Sequence, residues 1–218
     1  KKLQKQVDFL ESNPDFAICF HKVKILKNNG LKIDRLIPPA EITSIEDLAQ
    51  GNYIHTNTVV YRNGLLKEFP DWINKSPVGD YVLHMMNSQY GKIKYIDEEM
   101  GVYRLHEKST WSSLERIESL SKWIYMQDIL IQNMPSKIGE IIKEVQNNRK
   151  VELLELILKN KKFKLEDYPM ATNLDAEFLS LHYQNKILKI YSKKEFLIAN
   201  TFLWPFRAIK NNVKKIFG

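Results

Sequence analysis

Cysteine is nearly absent: one residue, Cys19, in a chain of 218 excludes an internal disulfide framework. It lies in an apolar run that reads as a strand, so a buried thiol in a cytoplasmic protein is expected. No apolar run is long enough to span a bilayer and no secretory leader pattern opens the chain, so any membrane association is expected to be peripheral, on the inner face of the cell membrane. Repeats and low-complexity segments are lacking, which excludes a solenoid. There is no recognised nucleic-acid module and no glycine and aromatic array like that of an RNA-binding sheet, so nucleic acid is not an expected partner. His21, His55, His84 and His182 form no sequence-local metal pattern and are assigned no function.

What is present is enough for a real core: 44% of the residues are apolar and 11% aromatic. The net charge of +7 is unevenly placed. Residues 1–112 carry 15 Lys/Arg against 14 Asp/Glu, whereas residues 113–218 carry 18 against 12, so the basic character belongs to the second part. An anionic membrane surface or an anionic acceptor fits such a surface.

Periodicity predicts a surface helix over 1–12 with Leu3, Val7 and Leu10 on its packed face, stopped by Asn13-Pro14. A strand over 16–26 follows, and Asn28-Asn29-Gly30 turns it into a shorter partner at 31–33. Ser44 caps a brief helix, with Asp47 at the capping-box position and Gly51 at its end. Residues 56–62 alternate as a strand does, and Asn63-Gly64 turns after them. The loop beyond carries Trp72 within Phe69-Pro70-Asp71-Trp72-Ile73, placed either to stack on a sugar ring or to lie as a lid over the core. After residue 112 the pattern is helical: 113–132, then 136–147 and 150–161 separated by Asn147-Asn148, and 174–191. The last stretch, 202–218, carries four cations and no anion on an amphipathic pattern begun by Pro205. It suits an anionic membrane surface, each cation contributing on the order of 1 kcal/mol, or else an ordinary packed terminal helix.

The chain is organised around 79–112, GDYVLHMMNSQYGKIKYIDEEMGVYRLHEKSTWS. Asp80 sits in the first turn of a predicted helix closed by Gly91, where the helix N–H groups stabilise a carboxylate and fix its position. Carboxylates are ionised at neutral pH, and a fixed, ionised carboxylate is what a general base requires. Two short strands, 92–97 and 100–105, then lead to His106, with Arg104 two residues before it on the same side.

These residues carry a resemblance. The pattern GD-Y-x-L, a helix, YGKIxYIDE-xMxVYRxH and then W-S resembles the C-terminal part of the catalytic domain of family-2 glycosyltransferases, inverting enzymes with a GT-A fold. KLQKQVDFLESNPDFAICFH at the start is similar to the segment that follows the metal-binding DxD motif in that family, and GNYIHTNTVVYRN and FPDWI are similar to its intervening acceptor-side segments. The likeness runs from residue 1 to about 113. It implies a mixed α/β fold: the acceptor-side part of a GT-A domain over 1–112, then a helical C-terminal region over 113–218. It implies transfer of a sugar from a nucleotide-sugar donor to a glycan or lipid-linked acceptor, with Asp80 as the base. His106 would approach a divalent metal, Mn or Mg, imidazole suiting Mn²⁺ better. Thr56, Asn57, Thr58 and Arg62 would border donor and acceptor, or serve as hydrogen-bonded scaffold. Arg104 would sit near the phosphates, and Trp111 in a segment that closes over the donor.

The nucleotide-binding half with its DxD motif should precede residue 1, so the main metal ligands are expected outside this chain. Because a helix opening on Lys1-Lys2 has no cap of its own, an excised piece of a longer enzyme is the expected origin. Exposed strand edges would allow pairing with a second copy. The alternative, from another functional class, is a non-catalytic module that binds a glycan, a membrane or a protein partner.

Overall fold

A run of aromatic and β-branched residues from Phe16 makes β1 (Phe16–Lys27) the centre of the sheet, and its first six residues are all buried. In the computed structural model, which describes residues 1–27, 30–34, 36–106, 114–159 and 167, α1 (Lys2–Ser12) precedes this strand. After it come β2 (Gly30–Ile33), β3 (Ile42–Thr43), α2 (Ile45–Gln50), β4 (Val60–Tyr61), α3 (Gly79–Ser88), β5 (Lys92–Leu105), α4 (Arg116–Asn133) and α5 (Ser136–Lys159). Single 3-10 turns occupy Thr56–Thr58 and Asp71–Lys75.

The five-stranded sheet is mixed, in the order β2-β1-β5-β3 with β4 also paired to β1. β1 and β5 run parallel, from Phe16 beside Lys92 to Lys27 beside Leu105, while β2, β3 and β4 pair antiparallel. The chain is therefore α/β, as expected. The two strands expected at 92–97 and 100–105 are one strand with a bulge: His21 faces Ile96 but Val23 faces Gly101. The bulge puts Asp97, Glu98 and Glu99 within ion-pair reach of Lys22, Lys5 and Lys24, at 2.9, 2.5 and 3.0 Å.

The side chains of β1 divide between two layers, strict alternation being broken by a register shift between Phe16 and Ile18. Ile18 and Phe20 enter the main core with Leu48 and Ile54, Val82 and Met85 of α3, and Ile93 of β5. Cys19 joins a smaller cluster with Leu10 and Phe16 beside α1. Its thiol is buried as expected, and burial pushes it up to about 11.

The face of α1 differs from expectation. Leu3 and Val7 are 63% and 42% exposed, whereas Gln6 is buried. The Gln6 amide donates to the carbonyls of Cys19 at 2.9 Å and Thr58 at 2.8 Å, so polar capture of main chain, not an apolar stripe, seats this helix.

The predicted capping box of α2 is present: Ser44 Oγ accepts from the Asp47 N–H, and Asp47 accepts from the Ser44 N–H at 2.8 Å. The two helices expected at 136–147 and 150–161 are one. Asn147 is buried, and Gln146 donates to the Ile124 carbonyl and to Asp128 on the facing helix at 3.0 and 2.6 Å, so packing overrides the Asn-Asn break signal. α4 and α5 form an antiparallel pair around Ile117, Leu120, Ile124, Leu153 and Ile157. They share the main core, to which Met126, Leu130, Met134, Ile138 and Ile142 belong, and one compact unit runs over Lys1–Asn173. The division expected at 112/113 thus does not separate two cores. The expectations for 28–29, 107–113, 174–191 and 202–218 lie outside the described residues. Among the described residues no helix is long and apolar enough to cross a membrane.

Gly91 is needed for close approach, although it does not itself end α3, which stops at Ser88. A Cβ there would lie 2.7 Å from the Asp15 carbonyl oxygen and 2.9 Å from the Ala17 nitrogen, at the point where Lys92 N–H donates to Asp15 at 2.9 Å and starts the parallel pairing. Gly91→Ala should cost about 1–3 kcal/mol by overpacking, read as a lower urea midpoint with unchanged slope. An unchanged midpoint would contradict this contact.

Candidate functional site

α3 begins after an extended Val78, and Asp80 falls in its first turn, half-buried. One carboxylate oxygen, Oδ1, accepts the Tyr81 N–H at 2.8 Å. The other, Oδ2, accepts from Thr56 Oγ1 at 2.5 Å. Both oxygens are thus aimed, and each retains a further lone pair for an incoming donor.

Thr56 opens the 3-10 turn Thr56–Thr58, which replaces the first part of the strand expected at 56–62; only Val60–Tyr61 pairs. The turn is tied down on several sides. Thr58 Oγ1 and N–H both donate to the His55 carbonyl, at 2.7 and 2.9 Å. Asn57 Nδ2 donates to the Val102 carbonyl on β5 at 3.2 Å, and Lys2 Nζ donates to the Asn57 carbonyl at 2.5 Å. The His55 ring lies 4.7 Å from that of Tyr103, centroid to centroid, and its Nε2 is 2.9 Å from Asp34 Oδ2. The N-terminus of α3 is thereby linked to the C-terminal end of β5, where parallel strands of an open α/β sheet present their ligand sites.

Behind Asp80 is a buried neutral pair. His84, one helical turn on, shares a hydrogen bond of 2.5 Å between its Nδ1 and the Tyr61 hydroxyl. Burial pushes the His84 imidazole down to about 4, partly opposed by the Asp80 charge, and burial raises the Tyr61 phenol. His84 Nε2 faces the main chain at Ile54 without a hydrogen bond of full geometry.

Of the sequence-predicted residues, Asp80 and Thr56 are brought into contact. Arg104 and His106 are exposed at the end of β5, and His106 makes no hydrogen bond or ion pair among the described residues. Two expectations of substrate contact give way to scaffold roles. Thr58 is fully buried on its own turn. Arg62 donates to the carbonyls of Phe16 and Asn13, each at 3.0 Å, and of Leu10, closing the C-terminus of α1 against β1. Trp72 is half-buried against the main core, the lid position rather than an exposed platform. Trp111 lies outside the described residues.

No three His, Cys, Asp or Glu side chains converge on a metal-sized site among the described residues. His106 could lend one donor, so the residues described do not by themselves fit a divalent ion. Sequence reading missed the Asp34–His55 and Tyr61–His84 pairs, whose members are 21 and 23 positions apart, beyond any local spacing signal.

Comparison with known proteins adds relatives without a described activity. No family model matches the chain, and no solved structure matches it. An uncharacterized protein of Mycobacterium bovis and uncharacterized proteins from two strains of Mycobacterium tuberculosis are each 36% identical to it over 116 residues. The match covers 51% of this chain and 32% of each relative, so the chain spans about a third of the length of the curated relatives it matches.

His84 predicts an acid-side stability loss. Unfolded, the imidazole takes up a proton near its ordinary 6.5; folded, it resists until about 4. The stabilisation is complete above pH 6.5 and is lost as pH falls through 4, up to ~3 kcal/mol in all. Urea unfolding at pH 7 and pH 5 should show a smaller loss in His84→Phe than in wild type, and equal losses would contradict a buried neutral ring.

Proposed function

We propose that this chain is the acceptor-side part of an inverting glycosyltransferase of family 2, with a partial GT-A fold, in which Asp80 takes the proton of the acceptor hydroxyl. The observation that supports this reading is the pair of directed hydrogen bonds on a half-buried carboxylate, from Thr56 and from the Tyr81 main chain. The acceptor oxygen bonds to the anomeric carbon, the bond from that carbon to the donor's diphosphate oxygen breaks on the opposite face, and the hydroxyl proton passes to Asp80. Holding Asp80 at two points limits the motion that would otherwise precede this transfer.

The departing diphosphate needs positive charge nearby. Arg104 is the candidate within this chain, exposed at the end of β5. A divalent ion would draw most of its ligands from outside the described residues, with His106 as one donor. The acceptor is a glycan or a lipid-linked sugar. The basic stretch 202–218 would hold the enzyme at the anionic inner face of the cell membrane. The short edge strands β2 and β3 are where a second copy would pair.

The test is nucleoside-diphosphate release by the full-length protein, assayed across uridine, guanosine and thymidine diphospho-sugars. Asp80→Asn should lower turnover by about 10²-fold or more while the thermal midpoint stays close to wild type. Equal turnover in the two proteins would remove Asp80 as the base, and no release from any donor by wild type would remove the transferase reading.

A further inference from the structure

Next in sequence to the threonine that holds Asp80 stands a second aimed group that the proposed proton transfer does not use. His55 immediately precedes Thr56, and its side chain is fixed at two points: Nε2 against Asp34 Oδ2 at 2.9 Å, and the ring against Tyr103 at 4.7 Å between centroids. Both members of the pair are largely shielded, with side-chain exposures of 17% for His55 and 9% for Asp34. A shielded carboxylate keeps its partners because losing them is costly. Asp34 has two, since its Oδ1 accepts the Leu36 N–H at 3.0 Å.

This arrangement fixes the tautomer of the neutral imidazole. A carboxylate only accepts, so in the neutral ring the proton sits on Nε2 and the lone pair on Nδ1. Nδ1 has no hydrogen bond among the described residues, yet it is not one of the buried polar atoms left without a partner. It is therefore an oriented acceptor reachable by solvent, one residue from the threonine that holds Asp80. A hydroxyl group, which donates to such a nitrogen as readily as it accepts from others, is the matching ligand. A polyol presents several hydroxyls, so one can face Asp80 while a neighbour faces Nδ1.

We propose that His55, oriented by Asp34 and braced by Tyr103, is a hydroxyl-binding subsite that holds the acceptor sugar ring by a hydroxyl other than the one that reacts. The transferase reading supplies the identity of the ligand as the acceptor; the subsite itself is a binding claim that stands or falls separately.

Asp34→Asn is the informative variant. The Leu36 N–H keeps the amide oxygen on its side, which turns the amide NH₂ toward Nε2 and drives the ring proton to Nδ1, converting the acceptor into a donor. The full chain would be titrated with methyl β-D-glucopyranoside, methyl β-D-galactopyranoside and methyl α-D-mannopyranoside, following the imidazole nitrogens by long-range proton–nitrogen NMR. In wild type the His55 Nδ1 resonance should be that of an unprotonated nitrogen and should move with at least one probe. Asp34→Asn should show the proton on Nδ1, where a probe hydroxyl must then accept; His55→Phe, which removes the nitrogen, should bind that probe about tenfold more weakly, the loss of one hydrogen bond. A wild-type Nδ1 signal indifferent to all three probes would overturn the subsite without needing any variant, as would equal probe affinity in wild type and a folded His55→Phe. If the probe response holds while turnover is indifferent to Asp80→Asn, the subsite survives and the transferase reading does not; the opposite pattern does the reverse.

Discussion

Residues 55–58 are bonded to α1, α3, β5 and the segment after β2, and the arrangement of the candidate site depends on that turn. Each contact alone is modest, of the order of 1 kcal/mol for a neutral hydrogen bond. Together they hold the turn against the sheet and take up the backbone and side-chain groups that a four-residue connection would otherwise leave to water. Asp80 is aimed because Thr56 is held, and Thr56 is held because its neighbours on both sides are engaged. The parallel pairing of β1 and β5 is what brings Val102 and Tyr103 to that place, and it starts where Gly91 lets the two strands approach.

Charge in the site is arranged with one ionised group in front and uncharged groups behind. The imidazole of His84 is kept neutral by burial and the Tyr61 hydroxyl shares its hydrogen bond, so neither neutralises Asp80. The acidic bulge at 97–99 is matched instead by Lys5 of α1 and by Lys22 and Lys24 of β1. Those pairs are mostly solvent-exposed and contribute little each.

The sequence made part of this legible. The strand at Phe16, the capping box at Ser44 and the position of Asp80 in a first helical turn all follow from local signals whose range is three or four residues. What stayed hidden was of longer range. Nothing near Gln6 marks it as the buried residue of α1, because its partners are the carbonyls of Cys19 and Thr58. Arg62 reads as a polar residue on a strand and serves to close a helix about fifty positions earlier. The Asn147-Asn148 signal was real as a propensity and lost to packing across the α4–α5 pair. The helix-start pattern marked Asp80 in a first turn, whereas the pairing of His55 with Asp34 required the folded chain.

The coupling between Thr56 and Asp80 tests this account most directly. A double-mutant cycle of Thr56→Val and Asp80→Asn, read by urea unfolding at neutral pH, isolates their interaction from whatever else each substitution does. Side chains in contact should give a coupling of roughly 0.5–3 kcal/mol. Strict additivity would mean that the turn does not hold the carboxylate, and the site as described would not exist.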